Sequence, residues 1–181
     1  MKKTILILVL FFIVTGIFAQ KYITKQGRID IFSETQLFTI EAVNKKVATI
    51  LNIENGEVVA SLLNRSFEWE EALVGEHFNE NYMESHLYPK AIFKGTITNL
   101  KDVNFKKDGT YDVKFEGDLT IHGETRKYVE TGTMTVEGKT LKFKTTFTVS
   151  LENHGIKIEE SYKDRMKDEI ELKLNFEYNP Y

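Results

Sequence analysis

Cysteine is absent from the 181 residues, proline occurs twice and tryptophan once. Without cysteine there is no disulfide, no thiolate nucleophile and no Cys-based zinc site, so buried apolar surface must hold the fold together. A lipid anchor that needs a cysteine at its processing site is excluded too. Histidine is scarce, with four residues. His77 and His86 stand nine apart and would point to opposite sides of a helix. His122 ends an alternating run and His154 lies in Asn153-His154-Gly155. No pair has zinc-ligand spacing, so no metal site is expected. A Gly-x-Ser-x-Gly elbow, a phosphate loop and a dinucleotide fingerprint are all missing. The 27 acidic residues fall mostly between apolar ones, on what read as solvated strand faces. No catalytic residue is expected, and the chain reads as a non-enzyme.

Charge of one sign does not dominate either. Lys and Arg total 24 against 27 acids, for a net charge of −3. A mildly acidic chain with both signs interspersed does not suit nucleic acid, which requires a basic patch. One long apolar run exists, residues 4–18, preceded by Lys2 and Lys3 and followed by Ala19-Gln20. That order fits an export signal cleaved after Ala19. The run of about 15 apolar residues is shorter than the roughly 20 needed to span hydrocarbon. Expected, then, are a cleaved signal at residues 1–19, a periplasmic or secreted product at 20–181, and no integral membrane segment after cleavage. Without Lys2 and Lys3 the basic total falls from 24 to 22 against 27 acids, a net charge near −5.

Most of the remainder alternates with period two, the mark of strands with one buried face. Tyr111, Val113, Phe115, Gly117, Leu119 and Ile121 alternate with Asp112, Lys114, Glu116, Asp118 and Thr120. Leu141 to Leu151 and Ile170 to Tyr178 repeat the pattern. Further strands are expected at 28–33, 36–43, 47–54, 57–69, 91–100 and 126–137. Asn55-Gly56, Asp108-Gly109 and Glu137-Gly138-Lys139 supply the reversals. Eight or nine strands at hairpin spacing, with no linker or repeat, predict an all-β fold: one closed antiparallel barrel of about eight strands. One helical segment, about 70–85, interrupts the series. Val74, Phe78 and Tyr82 share a face there, Gly75 is a candidate break, and Pro89 bars continuation. Such a helix could cap one mouth of the barrel.

The apolar strand face carries the candidate site. Phe93, Tyr111, Phe115, Leu119, Phe143, Phe147 and Phe176 are the expected lumen-lining residues, with Val74, Phe78 and Tyr82 beneath the helix. An eight-stranded barrel can be filled by its own side chains, so pattern alone fits either a packed core or a ligand cavity. Gly95 and Gly117 on the apolar face would leave room or permit a bend. Alternation also leaves open an outer-membrane barrel, which would turn its apolar face to lipid.

Two blocks carry a family resemblance. The first is Glu76-His77-Phe78-Asn79-Glu80-Asn81-Tyr82-Met83-Glu84-Ser85 with Tyr88-Pro89-Lys90-Ala91-x-Phe93-Lys94-Gly95; the second runs from Gly117 to Lys127 through Ile121-His122-Gly123. With these the chain resembles the YceI-like family of exported, lipocalin-like barrels. The opening strand departs from better-known members, which carry a His before a Ser where Phe32 precedes Ser33. The resemblance implies a barrel holding an amphiphilic lipid with an isoprenoid tail and no catalytic machinery or cofactor beyond that lipid. The partner implied is an apolar or amphiphilic small molecule, polyisoprenoid- or quinone-like, and a homodimer is allowed. The competing readings are a filled barrel acting as a structural or protein-interaction module, or an enzyme with dispersed residues.

Overall fold

The computed structural model describes residues 21–181, so the export-signal expectation for residues 1–19 lies outside the described residues. Among the described residues nine strands are formed: β1 (Lys21–Glu34), β2 (Thr39–Asn52), β3 (Glu57–Leu63), β4 (Phe67–Trp69), β5 (Lys90–Ile97), β6 (Gly109–Ile121), β7 (Glu124–Glu137), β8 (Thr140–Ser150) and β9 (Glu169–Pro180). They join in the order β1-β9-β8-β7-β6-β5-β3-β2, every pairing antiparallel, and β1–β2 pairing closes the sheet. The short β4 pairs with the first half of β2 while β3 pairs with the second half. These two pieces occupy one strand position, so the barrel has eight positions, as its period predicts.

Most apolar strand positions turn inward and charged ones outward, with Ile50, Val59 and Val129 as outward-facing exceptions. Along β6, Val113 is wholly buried and Phe115 and Leu119 nearly so, while Lys114 and Asp118 are exposed. An outer-membrane barrel needs the reverse arrangement, so that alternative is set aside.

Several strand boundaries differ from the sequence expectation: β1 begins at Lys21 rather than residue 28, and β5 ends at Ile97 rather than residue 100. The expected strands 36–43 and 47–54 merge into a single strand, β2 (Thr39–Asn52), with an irregularity where Asn44 turns inward. Asn44 is fully buried; its Nδ2 donates to Leu63 O (3.1 Å) and its Oδ1 accepts from Lys46 N (2.9 Å). Those bonds replace the ladder locally, which lets a polar residue occupy an inward position without breaking the strand. Conversely, 57–69 is not continuous. A 3₁₀ turn, Asn64–Ser66, separates β3 from β4.

The helix α1 (Ala72–His77) continues into a single wide π turn, Phe78–Tyr82. Gly75 does not divide it. A Cβ there would lie 2.7 Å from Trp69 Cδ1, so the glycine lets the indole seat against the helix. The helix, the β1–β2 hairpin, the β6–β7 turn and the long connection 151–168 all lie at one end of the barrel. At the opposite end, the segment between β5 and β6 folds inward. Val103 is buried there, with Leu100 and Phe105 packed on the same core. That end is closed by side chains; the helix end is covered by backbone elements.

Candidate functional site

Below the helix the lumen is not filled. An apolar cavity of about 180 Å³ extends through it, against roughly 10–15 Å³ for a single water on the same measure. Every strand position contributes a wall. Phe115 stands near the middle of an aromatic run, with ring centroids 5.9 Å from Phe93, 5.6 Å from Phe143 and 6.4 Å from Phe147. Phe176 follows at 6.1 Å from Phe143. Mostly edge-on contacts of this kind hold large rings rigid and apart from one another.

Of the lining residues expected from sequence, Phe93, Phe115, Leu119, Phe143, Phe147, Phe176, Phe78 and Tyr82 all border the cavity. Tyr111 and Val74 do not. Tyr111 belongs to the closed end, where its hydroxyl donates to Lys107 O (2.9 Å). Val74 sits on the flank of α1, because the inner face runs through Gly75 and Phe78 rather than Val74 and Phe78. A helix turns 100° per residue, which separates Val74 from Gly75 by that angle.

Gly95 and Gly117 face each other across β5 and β6, yet they do not widen the lumen as expected. A Cβ on Gly117 would come within 2.6 Å of Phe93 Cζ, and one on Gly95 within 2.5 Å of the same atom. The Phe93 ring therefore occupies the space that both glycines vacate. Leu172, Leu174, Phe143 and Phe147 also line the cavity and are only half-buried.

Sequence reasoning missed Phe67 and Trp69, which also line the cavity. They clasp Phe78 from below, at centroid distances of 5.6 and 4.7 Å. Their i, i+2 spacing at the end of an apolar run was the available signal. Met166, also in the lining, lies in the connection 151–168 and has no periodic context to reveal it.

Charge is absent from the lining, and its side chains are apolar save Ser61, Asn64 and the polar tips of Trp69, Tyr82 and Tyr178. Tyr178 is held protonated: full burial pushes its hydroxyl well above the usual phenol value, and the hydroxyl pairs with Thr49 Oγ1 at 3.1 Å. Burial raises Tyr82 as well, with smaller contributions from Glu159 and Tyr162.

Two histidines lie near the mouth but outside the cavity. His122 Nε2 donates to the Glu84 carboxylate at 2.7 Å, and its ring lies 4.4 Å from that of Tyr88. His154 is completely buried, donates from Nδ1 to Glu124 O (3.0 Å) and accepts at Nε2 from the Tyr128 hydroxyl (3.1 Å). Among the described residues no group of three or more His, Asp or Glu could hold a metal ion.

The family model of the YceI-like domain matches residues 18–178. The chain belongs to the YceI-like family. Among solved structures it is similar to a polyisoprenoid-binding domain from Saccharophagus degradans, at TM-score 0.78 and 7% identity over 90% of this chain and 99% of that one. Burkholderia cenocepacia BcnA gives TM-score 0.69 at 15% identity, covering 84% and 95%. The Campylobacter jejuni YceI protein gives 0.63 at 14%, covering 82% and 90%. At these identities the likeness is one of fold. No curated protein matches the chain in sequence. The YceI-like barrel therefore has the lipocalin-like closed form that the resemblance implied.

Proposed function

We propose that this YceI-like protein is a non-enzymatic, exported carrier that holds the isoprenoid-type tail of an amphiphilic lipid in its lumen. The observation that carries the reading is an uncharged, aromatic-walled cavity in a barrel that could have been filled. Core residues at the closed end reach zero exposure, so the chain is able to pack densely where packing is all that is needed. The polyisoprenoid-binding domain of Saccharophagus degradans shares the fold and supports the same ligand class.

Burial of hydrocarbon supplies the driving force, about 0.8 kcal/mol per CH₂. A five-carbon isoprene unit then contributes roughly 4 kcal/mol gross, and a few units outweigh the cost of ordering a flexible tail. No step of bond making is involved. The side chains that would hold the tail are Phe93, Phe115, Leu119, Phe143, Phe147 and Phe176 along the walls, with Phe78 and Tyr82 above.

Native mass spectrometry of the purified protein, with organic extraction of whatever it carries, tests this. A co-purifying lipid of fixed mass is expected, or uptake of an added polyprenol by the emptied protein. A protein that is empty as isolated and takes up neither polyprenols nor quinones would instead be a filled or purely structural barrel.

A further inference from the structure

The polar atoms of the lumen are few, and two of them are buried without a hydrogen-bond partner among the described residues. Asn64 lies in the 3₁₀ turn between β3 and β4, is 1% exposed, and lines the cavity. Its Nδ2 donates to Tyr88 O at 2.7 Å, and its backbone N donates to Pro89 O at 3.0 Å. The Tyr88 carbonyl fixes the amide's orientation, because a flipped side chain would set oxygen against oxygen. The other end of that amide, Oδ1, is buried with no hydrogen-bond partner among the described residues. Five residues on, Trp69 also lines the cavity, and its Nε1–H is buried and likewise unpartnered among the described residues. Buried polar groups are nearly always paired, so each such atom calls for an explanation.

An acceptor and a donor therefore stand unpaired in one short segment beneath the helix, in a lumen without any charged side chain. We propose that Asn64 and Trp69 form the head-group end of the lumen and select a lipid whose uncharged head carries a hydroxyl. This inference rests on the lumen taking a lipid tail. The hydroxyl hydrogen would pair with Asn64 Oδ1, and an oxygen of the head group would accept from Trp69 Nε1–H. A phosphate head would bring charge into a lining that has no cation to meet it. A quinone offers only acceptors and could pair with Trp69 but would leave Asn64 Oδ1 unsatisfied.

The full protein, stripped of lipid, is titrated with three C20 probes: geranylgeraniol, its phosphate, and the corresponding hydrocarbon without a head group. Binding is read by native mass spectrometry and by the fluorescence of Trp69, the chain's single tryptophan. The alcohol is expected to bind about tenfold more tightly than the hydrocarbon, more tightly than the phosphate, and to shift Trp69 emission where the hydrocarbon does not. Asn64→Leu should abolish the preference for the alcohol over the hydrocarbon. Because Asn64 also anchors Tyr88, Trp69→Phe provides a second variant, read by native mass spectrometry alone; it removes the donor together with part of the indole packed on Gly75 and Phe78, and should weaken alcohol binding more than hydrocarbon binding. Equal affinity for alcohol and hydrocarbon, or strongest binding of the phosphate, overturns the assignment while leaving lipid carriage intact. Failure of all three probes to bind overturns carriage itself.

Discussion

An imidazole sealed from solvent behaves unlike one at the surface, and His154 shows how. Burial holds its pKa below the ordinary value, Arg126 adds to that lowering, and the bond to the Glu124 carbonyl opposes it in part. Below a pH of about 6.5 the unfolded chain gains a proton at this position that the folded chain refuses. Stability contributed by neutral His154 is thus complete above that pH. It declines as pH falls, and levels off once the folded form is protonated as well. Tyr128, whose hydroxyl burial keeps protonated, remains the donor throughout the range. Thermal midpoints measured from pH 8 to pH 5 should fall more steeply for the native protein than for His154→Gln, which keeps a donor and an acceptor but has no titration. Parallel profiles would assign the acid sensitivity to carboxylates instead.

At the scale of elements, the helix is held over the barrel by two sets of contacts. Trp69 packs against Gly75 and Phe78, seating the helix and its π turn on β4, and the Glu84–His122 bond ties the segment after them to the β6–β7 turn. Both partners of that bond take left-handed backbone conformations, φ 41° for Glu84 and 51° for His122. Non-glycine residues adopt such angles at a cost of order 1 kcal/mol each, so the surrounding contacts must over-determine them. Gly123 completes the two-residue turn at φ 77°, and a Cβ on it would meet the Tyr88 ring at 2.7 Å. The His–carboxylate bond should couple the two residues by about 1 kcal/mol, discounted from the value for a buried charged pair because Glu84 is partly exposed. A double-mutant cycle with Glu84→Gln and His122→Asn, followed by urea unfolding, measures that coupling. Asparagine tolerates the left-handed angle, so the cycle separates the lost bond from backbone strain. Strictly additive single variants would show that the helix is anchored by Trp69 and Phe78 alone.

The molecule as a whole is packed unevenly. Leu141, at the closed end, is fully buried and does not border the cavity; Leu172, toward the helix, is half-buried and does. Truncating Leu141 to alanine opens a new void and should cost about 2–5 kcal/mol. Leu172 already faces empty space and gives up fewer contacts, so Leu172→Ala should cost about 1–2 kcal/mol by the same reasoning. Denaturant unfolding of the two variants checks the difference. Similar losses at both sites would mean that the lumen closes up in solution.

The period-two pattern determined by itself that Val113, Phe115, Leu119, Phe143, Phe147 and Phe176 share an inner surface, because side chains alternate strictly along a strand. Hairpin spacing and Asn-Gly or Gly turn signals likewise implied a closed antiparallel sheet. Local chemistry could not place the wide turn at Phe78, the inward Asn44 or the break at Asn64, since each depends on bonds to residues remote in sequence. Nor could pattern distinguish filled core from cavity. Gly95 and Gly117 suggested room, yet the Phe93 ring fills it. Which end of the barrel closes and which stays hollow follows from how the 98–108 segment and the helix dock. Only the tertiary structure decides that, because volume left over is a property of all the walls together and of no strand alone.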